Sequence, residues 1–200
     1  MGENIVITIA RQYGSGGKTI GAMLAKELGI NCYSREILKM ASEESGINEG
    51  LFGMSDEKIK KAPWFKILSR PYDGELLTPE DRDFVSDDNL FNYQAKVIQD
   101  LAEKESCVIV GRCADYILRD REDCLKVFLY ADEETKENRI QEIYGEAGLK
   151  LKNRVKDMDV RRGLNYKYFT GQDWGKAQNY DLALNRGSLG IEKCAQLIVD

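Results

Sequence analysis

The 200-residue sequence contains no histidine. That absence excludes histidine-ligated zinc, Ser-His triads and imidazole acid–base catalysis, so any chemistry must use lysine, arginine, carboxylates, backbone amides or a thiolate. No apolar run approaches the roughly 20 residues that cross a bilayer, and the N-terminus lacks the basic, apolar and small-residue succession of a signal peptide. Position 6 is Val6, where a myristoylation signal after Met1-Gly2 would want Ser or Thr. The chain therefore reads as cytoplasmic, with no membrane partner. A basic excess is missing as well: the formal net charge is −5. Nucleic acid is accordingly not the expected partner, and any anion site must be built locally. Cys32, Cys107, Cys113, Cys124 and Cys194 are odd in number, scattered and without a C-x-x-C pair, which suits reduced thiols rather than a disulfide framework. Proline is scarce, and Pro63, Pro71 and Pro79 are all of it.

What is present fits one domain over 1–200. Hydrophobic residues make up 42% and charged residues 32%, enough for a sizeable core. Residues 5–10 form an apolar, β-branched run, as expected for a strand covered on both faces in a parallel sheet. Ile20, Leu24 and Leu28 then mark a helix over 18–28 that Gly29 ends. A short strand is expected over 30–33, with Ser34 capping a helix that carries Ile37, Leu38 and Ala41 up to Gly46. Residues 47–88 are polar, hold the prolines, and show only a brief helical pattern around Ile59, Trp64 and Leu68, so they read as an insertion. Leu90, Phe91, Gln94, Val97, Ile98, Leu101 and Ala102 recur at helical spacing ahead of the strand Cys107-Val108-Ile109-Val110. A further strand runs over 125–130, and Asp132-Glu133-Glu134 suit the helix N-terminus that follows. A last strand over 181–184 precedes a terminal helix with Ile191, Ala195, Leu197 and Ile198. Strands alternating with helices imply an α/β layer fold with a mainly parallel sheet.

Chemistry enters at "GSGGKTIG", Gly14 to Gly21. The pattern G-x-x-x-x-G-K-[ST] is met at Gly17, Lys18 and Thr19 but not at position 12, which is Gln12. Such a loop works because its glycines let successive amides point at phosphate oxygens, the helix terminus adds positive potential, and the lysine reaches the outer phosphates. Gly14, Ser15, Gly16, Gly17, Lys18 and Thr19 are the candidate binding residues, with the Thr19 hydroxyl offered to magnesium. A plain glycine turn between strand and helix is the other reading. A dinucleotide fingerprint starting at Gly14 would need glycine where Thr19 stands.

A second signal lies over 150–169, where seven Lys or Arg face two Asp. At about 100° per residue Leu151, Val155, Met158 and Arg162 share one side of a helix, while Lys150, Arg154 and Arg161 form a cationic stripe beside it. The stripe is either a solvated face or an arginine-bearing lid that stabilises charge on a transferring phosphoryl group.

The pieces "ARQYGSGGKTIG", "CVIVGRCADYIL", "DVRRGLNYKYFTGQDW" and "NYDLALNRGSLGIEK" resemble the cytidylate-kinase-like family, a branch of the P-loop nucleoside monophosphate kinases. The resemblance implies a three-layer α/β fold with a five-stranded parallel sheet, an acceptor-side insertion at 47–88 and a lid over 147–175. It implies ATP and Mg2+, with Gly14 to Thr19 on the donor phosphates and Arg112 facing the acceptor phosphate. Arg139, Arg154 and Arg161 become acceptor-side or transition-state cations, and Asn185 and Arg186 lie near the donor base. The implied substrates are small nucleotides, CMP or dCMP first, with dephospho-coenzyme A or a nucleoside as other acceptors. A nucleotide-binding sensor without efficient transfer is the rival from another class. Two departures bear on acceptor and metal contacts: Ser34 stands where relatives often carry an acidic residue, and Gly111-Arg112-Cys113 replaces Gly-Arg-Asp. Asp115 is a stand-in carboxylate or a helix-start residue. Tyr166, Tyr168 and Trp174 read as packing rather than as a base-stacking platform.

Overall fold

The computed structural model describes residues 4–57, 75–145 and 148–200. The helical pattern expected around Ile59, Trp64 and Leu68 lies outside them. Five strands form a single sheet: β1 (Val6–Arg11), β2 (Asn31–Tyr33), β3 (Cys107–Val110), β4 (Cys124–Tyr130) and β5 (Leu182–Asn185). Their order is β2-β3-β1-β4-β5 and every pairing is parallel.

Parallel strands must be covered on both faces, and the side chains alternate accordingly. Val6, Cys107, Ile109 and Cys124 point to one face. There they meet α2 (Glu36–Ser45), α3 (Glu49–Glu57), α4 (Asp87–Lys104) and α5 (Ala114–Ile117) through Ile37, Phe52, Leu90, Ile98 and Ile117. Ile7, Ile9, Val108, Val110, Val127 and Leu129 point to the other, against Ile20 and Leu24 of α1 (Gly17–Leu28) and Ala195 and Ile198 of α9 (Ile191–Val199). The result is the expected three-layer P-loop kinase arrangement. A smaller cluster of Ile140, Leu151 and Val155, with Tyr13 against it, joins α6 (Glu133–Tyr144) to α7 (Leu149–Thr170). A 3-10 turn (Ala177–Asn179) leads to β5, and the short α8 (Arg186–Leu189) follows it.

Helix ends follow local chemistry. Gly29 and Gly46 adopt left-handed φ values of 68° and 72° and close α1 and α2. Ser86 caps α4 by accepting from the Asn89 amide, and Asp132 caps α6 by accepting from Thr135. One expected cap is corrected. Arg35, not Ser34, occupies the N-cap of α2, because the Ser34 amide donates to the Glu36 carboxylate at 2.8 Å and the Ser34 carbonyl accepts from Arg112. Within 47–88, α3 is helical and residues 75–86 lie on α4. Buried Asn89 accepts from the Leu77 amide at 2.9 Å and donates to the Phe84 carbonyl at 2.7 Å. Among the described residues no helix is long and apolar enough to cross a membrane.

Candidate active site

The carboxyl ends of parallel strands are where backbone groups stop pairing and helices begin, so ligands collect there. At the end of β1 the chain curls through Gln12 to Gly16, with left-handed φ values of 82° at Gly14 and 85° at Gly16. A side chain at Gly14 would bring Cβ to 2.7 Å from the Lys136 carbonyl oxygen, and one at Gly17 to 2.7 Å from Arg11 Cγ. Both glycines are therefore required by close approach.

Gln12 is not in that class. Among the described residues the non-glycine positions with positive φ are Arg112 and Cys113, so Gln12 has ordinary backbone. Its amide donates to the Leu129 carbonyl at 3.0 Å, its carbonyl accepts from Ser15 Oγ at 2.8 Å, and its Oε1 accepts from the Ala131 amide at 3.2 Å. The residue that departs from the glycine pattern pins the loop to the end of β4.

Lys18 and Thr19 open α1. Lys18 is exposed, and Thr19 Oγ1 accepts from Arg139 Nη2 at 2.7 Å. Arg139 Nε also lies 3.6 Å from the position of a Cβ on Gly16, so the guanidinium spans the loop.

Two further arginines meet the loop. Arg11 packs over Gly17 and against Gly111. Arg162 Nη1 donates to the Arg11 carbonyl at 2.9 Å, and burial pulls its guanidinium below the usual range. Arg154 is exposed over the rings of Tyr13 and Tyr144, 5.8 Å and 5.4 Å from their centroids. Arg161 is half-buried on the same helix. On α7, then, Arg162 has a hydrogen bond to the loop strand, although the helical wheel puts it on the apolar seam. A charged residue on such a seam is the signal that could have found it.

Beyond β3, Gly111, Arg112 and Cys113 have φ values of 87°, 59° and 54°. Two consecutive left-handed non-glycine residues cost roughly 1–2 kcal/mol each. The turn swings Arg112 across the end of β2, where Nε donates to the Ser34 carbonyl and Nη1 to Gln94 Oε1, both at 2.9 Å. Buried Gln94 anchors its own amide on the Leu90 carbonyl at 3.3 Å. Beside Ser34, the Glu36 carboxylate accepts from the Ser34 amide at 2.8 Å. Amides of Glu36 and Ser34 hold its carboxyl below the usual range, with Lys18 adding a smaller pull.

Asp115 is buried in the first turn of α5 and accepts from Tyr166 Oη at 2.7 Å. Burial pushes its pKa up to about 6. It borders a cavity of about 180 Å³ with Lys126, Tyr166, Gln172 and Gln178, separate from the loop. Tyr168 donates to Asp88 at 2.9 Å and Trp174 meets Phe128 edge-on at 5.4 Å, so the aromatic residues pack as expected. At the end of β5, Asn185 caps α8 by accepting from Gly187 at 3.0 Å, and half-buried Arg186 follows it.

The cytidylate kinase-like family model matches residues 6–188. The chain belongs to that family. Membership supports a kinase of a nucleotide or another small substrate, and the ATP and Mg2+ use that goes with P-loop kinases generally. An uncharacterized protein from Eubacterium ventriosum ATCC 27560 is 26% identical with a TM-score of 0.72, over 98% of this chain and 96% of that one. Shikimate kinase from Bacteroides thetaiotaomicron is 14% identical with a TM-score of 0.55, over 97% and 96%. Shikimate kinase from Acinetobacter baumannii, in complex with shikimate, is 12% identical with a TM-score of 0.52, over 98% and 91%. The likeness to the two shikimate kinases is one of fold. No curated protein matches the chain.

The donor chemistry suits Mg2+. Thr19 offers a hard hydroxyl oxygen with two lone pairs, of which Arg139 takes one. Among the described residues no three His, Cys, Asp or Glu side chains gather as a metal site. An ion here would therefore lean on phosphate oxygens and water, as Mg2+ commonly does.

Proposed function

We propose that the protein transfers the terminal phosphoryl group of ATP to a nucleoside monophosphate, with CMP and dCMP as the first acceptors. One observation carries the reading: Arg139 meets Thr19 at the mouth of a glycine loop on the carboxyl edge of the sheet, where Lys18 stands exposed in the first turn of α1. Gly14, Ser15, Gly16 and Gly17 bring backbone amides to the donor phosphates, and α1 adds its positive N-terminus. Lys18 follows the charge onto the outer phosphates. Thr19 would hold Mg2+, which offsets charge on the phosphates when bound.

Arg112, fixed by Ser34 and Gln94, orients the acceptor's phosphate, whose oxygen attacks without needing a general base. Arg139 leaves the Thr19 hydroxyl for the transferring oxygens. A cation of this kind contributes roughly 10³ to 10⁵ in rate. The 147–175 segment acts as the lid: α7 covers the loop, excludes competing water, and brings Arg154 and Arg161 toward the phosphates as it closes. Asn185 and Arg186 lie at the donor base, and 47–88 is the acceptor-side insertion within one domain of 1–200. The acceptor is a small molecule rather than nucleic acid, in keeping with a net charge of −5, and the compartment is the cytoplasm.

A second reading, a nucleotide-binding sensor with little transfer, rests on Arg139 holding Thr19 and on Cys113 standing in place of an aspartate. ADP release from Mg-ATP against CMP, dCMP, UMP, AMP, GMP and dephospho-coenzyme A separates the two. Acceptor-dependent turnover that Lys18→Ala abolishes supports the kinase. ATP binding without stimulation by any acceptor supports the sensor, and no ATP binding overturns both.

A further inference from the structure

Two short contacts between α7 and the loop strand come from Asp159 and Arg162, to which no role in transfer has yet been given. Asp159 and Arg162 stand three residues apart and therefore share a face of α7. Asp159 Oδ1 accepts from the Tyr13 amide at 2.6 Å, and Arg162 takes the Arg11 carbonyl at 2.9 Å. The helix thus grips backbone groups on both sides of Gln12.

Asp159 Oδ2 accepts from Lys136 Nζ at 3.0 Å, and the two side chains are only 15% and 8% exposed. Lys136 in turn lies with its own carbonyl against Gly14, and it stands one turn before Arg139 on α6. One carboxylate therefore links the loop, the helix that carries Arg139 and the helix that carries the lid arginines. Its position has an electrostatic consequence. A bare carboxylate on a loop amide would repel a nucleotide's phosphates, and in a site sheltered from water that repulsion is weakly screened. The ammonium of Lys136 offsets it.

We propose that Asp159 is a positioning residue that sets the Gln12–Tyr13 peptide, and with it the start of the glycine loop, for phosphate binding, and that Lys136 neutralises it so that the loop stays attractive to phosphate. The proposal rests on the phosphoryl-transfer reading. It predicts a sign pattern that a plain structural rivet would not produce. Lys136→Met leaves the carboxylate unbalanced and raises the ADP dissociation constant on the order of 10- to 100-fold. Asp159→Asn keeps an acceptor for the Tyr13 amide and removes the charge, so both the constant and kcat stay within about 5-fold of wild type. The double variant Lys136→Met/Asp159→Asn recovers ADP affinity to within about 5-fold. Asp159→Ala removes the acceptor and lowers kcat/KM on the order of 100-fold, because a loop displaced by an ångström costs about that much.

Calorimetric titration of the full chain with ADP, together with steady-state kinetics on whichever acceptor stimulates ADP release, reads all four variants, and thermal melts establish that each is folded. Equal affinity losses for Lys136→Met and Asp159→Asn would overturn the proposal, as would a double variant no better than Lys136→Met. If Lys136→Met does not fold, the Asp159→Asn and Asp159→Ala pair decides, and equal kcat/KM for the two overturns it. Lys18→Ala keeps the two levels apart. ADP binding that survives Lys18→Ala removes the phosphate-loop reading itself, whereas binding lost in Lys18→Ala but unchanged in all four variants removes only the role of Asp159.

Discussion

The glycine loop after β1 and the turn after β3 stand on adjacent strands, and they achieve tight curvature by opposite means. The loop puts glycine at its two left-handed positions, Gly14 and Gly16, and leaves Gln12 in ordinary backbone with amide, carbonyl and side chain all bonded. The turn has glycine only at Gly111 and forces Arg112 and Cys113 into left-handed conformation. Strain of this kind persists only where surroundings over-determine it. Here the bonds from Arg112 to Ser34 and Gln94, and the burial of α5 beneath the turn, do so. A missing glycine is therefore harmless or costly according to the φ of the position it leaves, not according to the motif it interrupts.

The largest expected effect breaks the loop side of this contrast. Gly14→Ala would have to hold φ near 82° with Cβ 2.7 Å from the Lys136 carbonyl. Left-handed strain and overpacking together cost about 3 kcal/mol, and ADP affinity should fall with it. A chemical melt and a titration check both, and a variant with wild-type stability would show that the loop has room to relax.

Next is the support beneath the turn. Asp115 titrates near 6 in the folded protein against an ordinary value of 3.8, with burial as the main cause. A raised carboxyl pKa means that the folded state prefers the protonated form. Stability from this group is thus complete below about pH 4 and is lost as pH rises through 6. Asp115→Asn keeps an acceptor for Tyr166 without the charge. It should match wild type near pH 4 and exceed it by about 2 kcal/mol at pH 8. Urea melts across that range test the divergence, and parallel curves would refute it.

These two regions also mark what could be read ahead of the structure. The layers were legible because β-branched runs alternate with helices whose ends carry their own glycine stops, as at Gly29 and Gly46. The loop was legible because its parts are consecutive. What pins the loop was not: Arg139 reaches Thr19 across 120 residues and Asp159 reaches Tyr13 across 146. Periodicity carries no information about such distant pairing. Ser34 misled for the same reason, since its carbonyl is claimed by Arg112 from 78 residues away.

Gln12→Gly asks whether the loop wants the glycine that the motif prescribes. The change deletes the bond from Oε1 to the Ala131 amide and adds backbone freedom to the unfolded chain, costing about 1–2 kcal/mol together. Nucleotide affinity should not improve. A gain in either stability or affinity would mean that Gln12 is strained after all, and the contrast with the turn would collapse.

The smallest effect has the opposite sign. Cys113→Gly removes the left-handed penalty of a side chain at φ 54°, a gain of roughly 1–2 kcal/mol. Greater unfolded-state freedom takes back about 0.5–1 kcal/mol, and the half-buried thiol loses its packing against the core. The net is a stabilisation of about 0.5 kcal/mol, read as a higher urea midpoint at unchanged slope. If the strained turn is also what aims Arg112, relief should loosen that aim, so KM for the acceptor should rise while KM for ATP stays put. A lower midpoint with both constants unchanged would show that the turn stores no strain and that Cys113 is there for its packing alone.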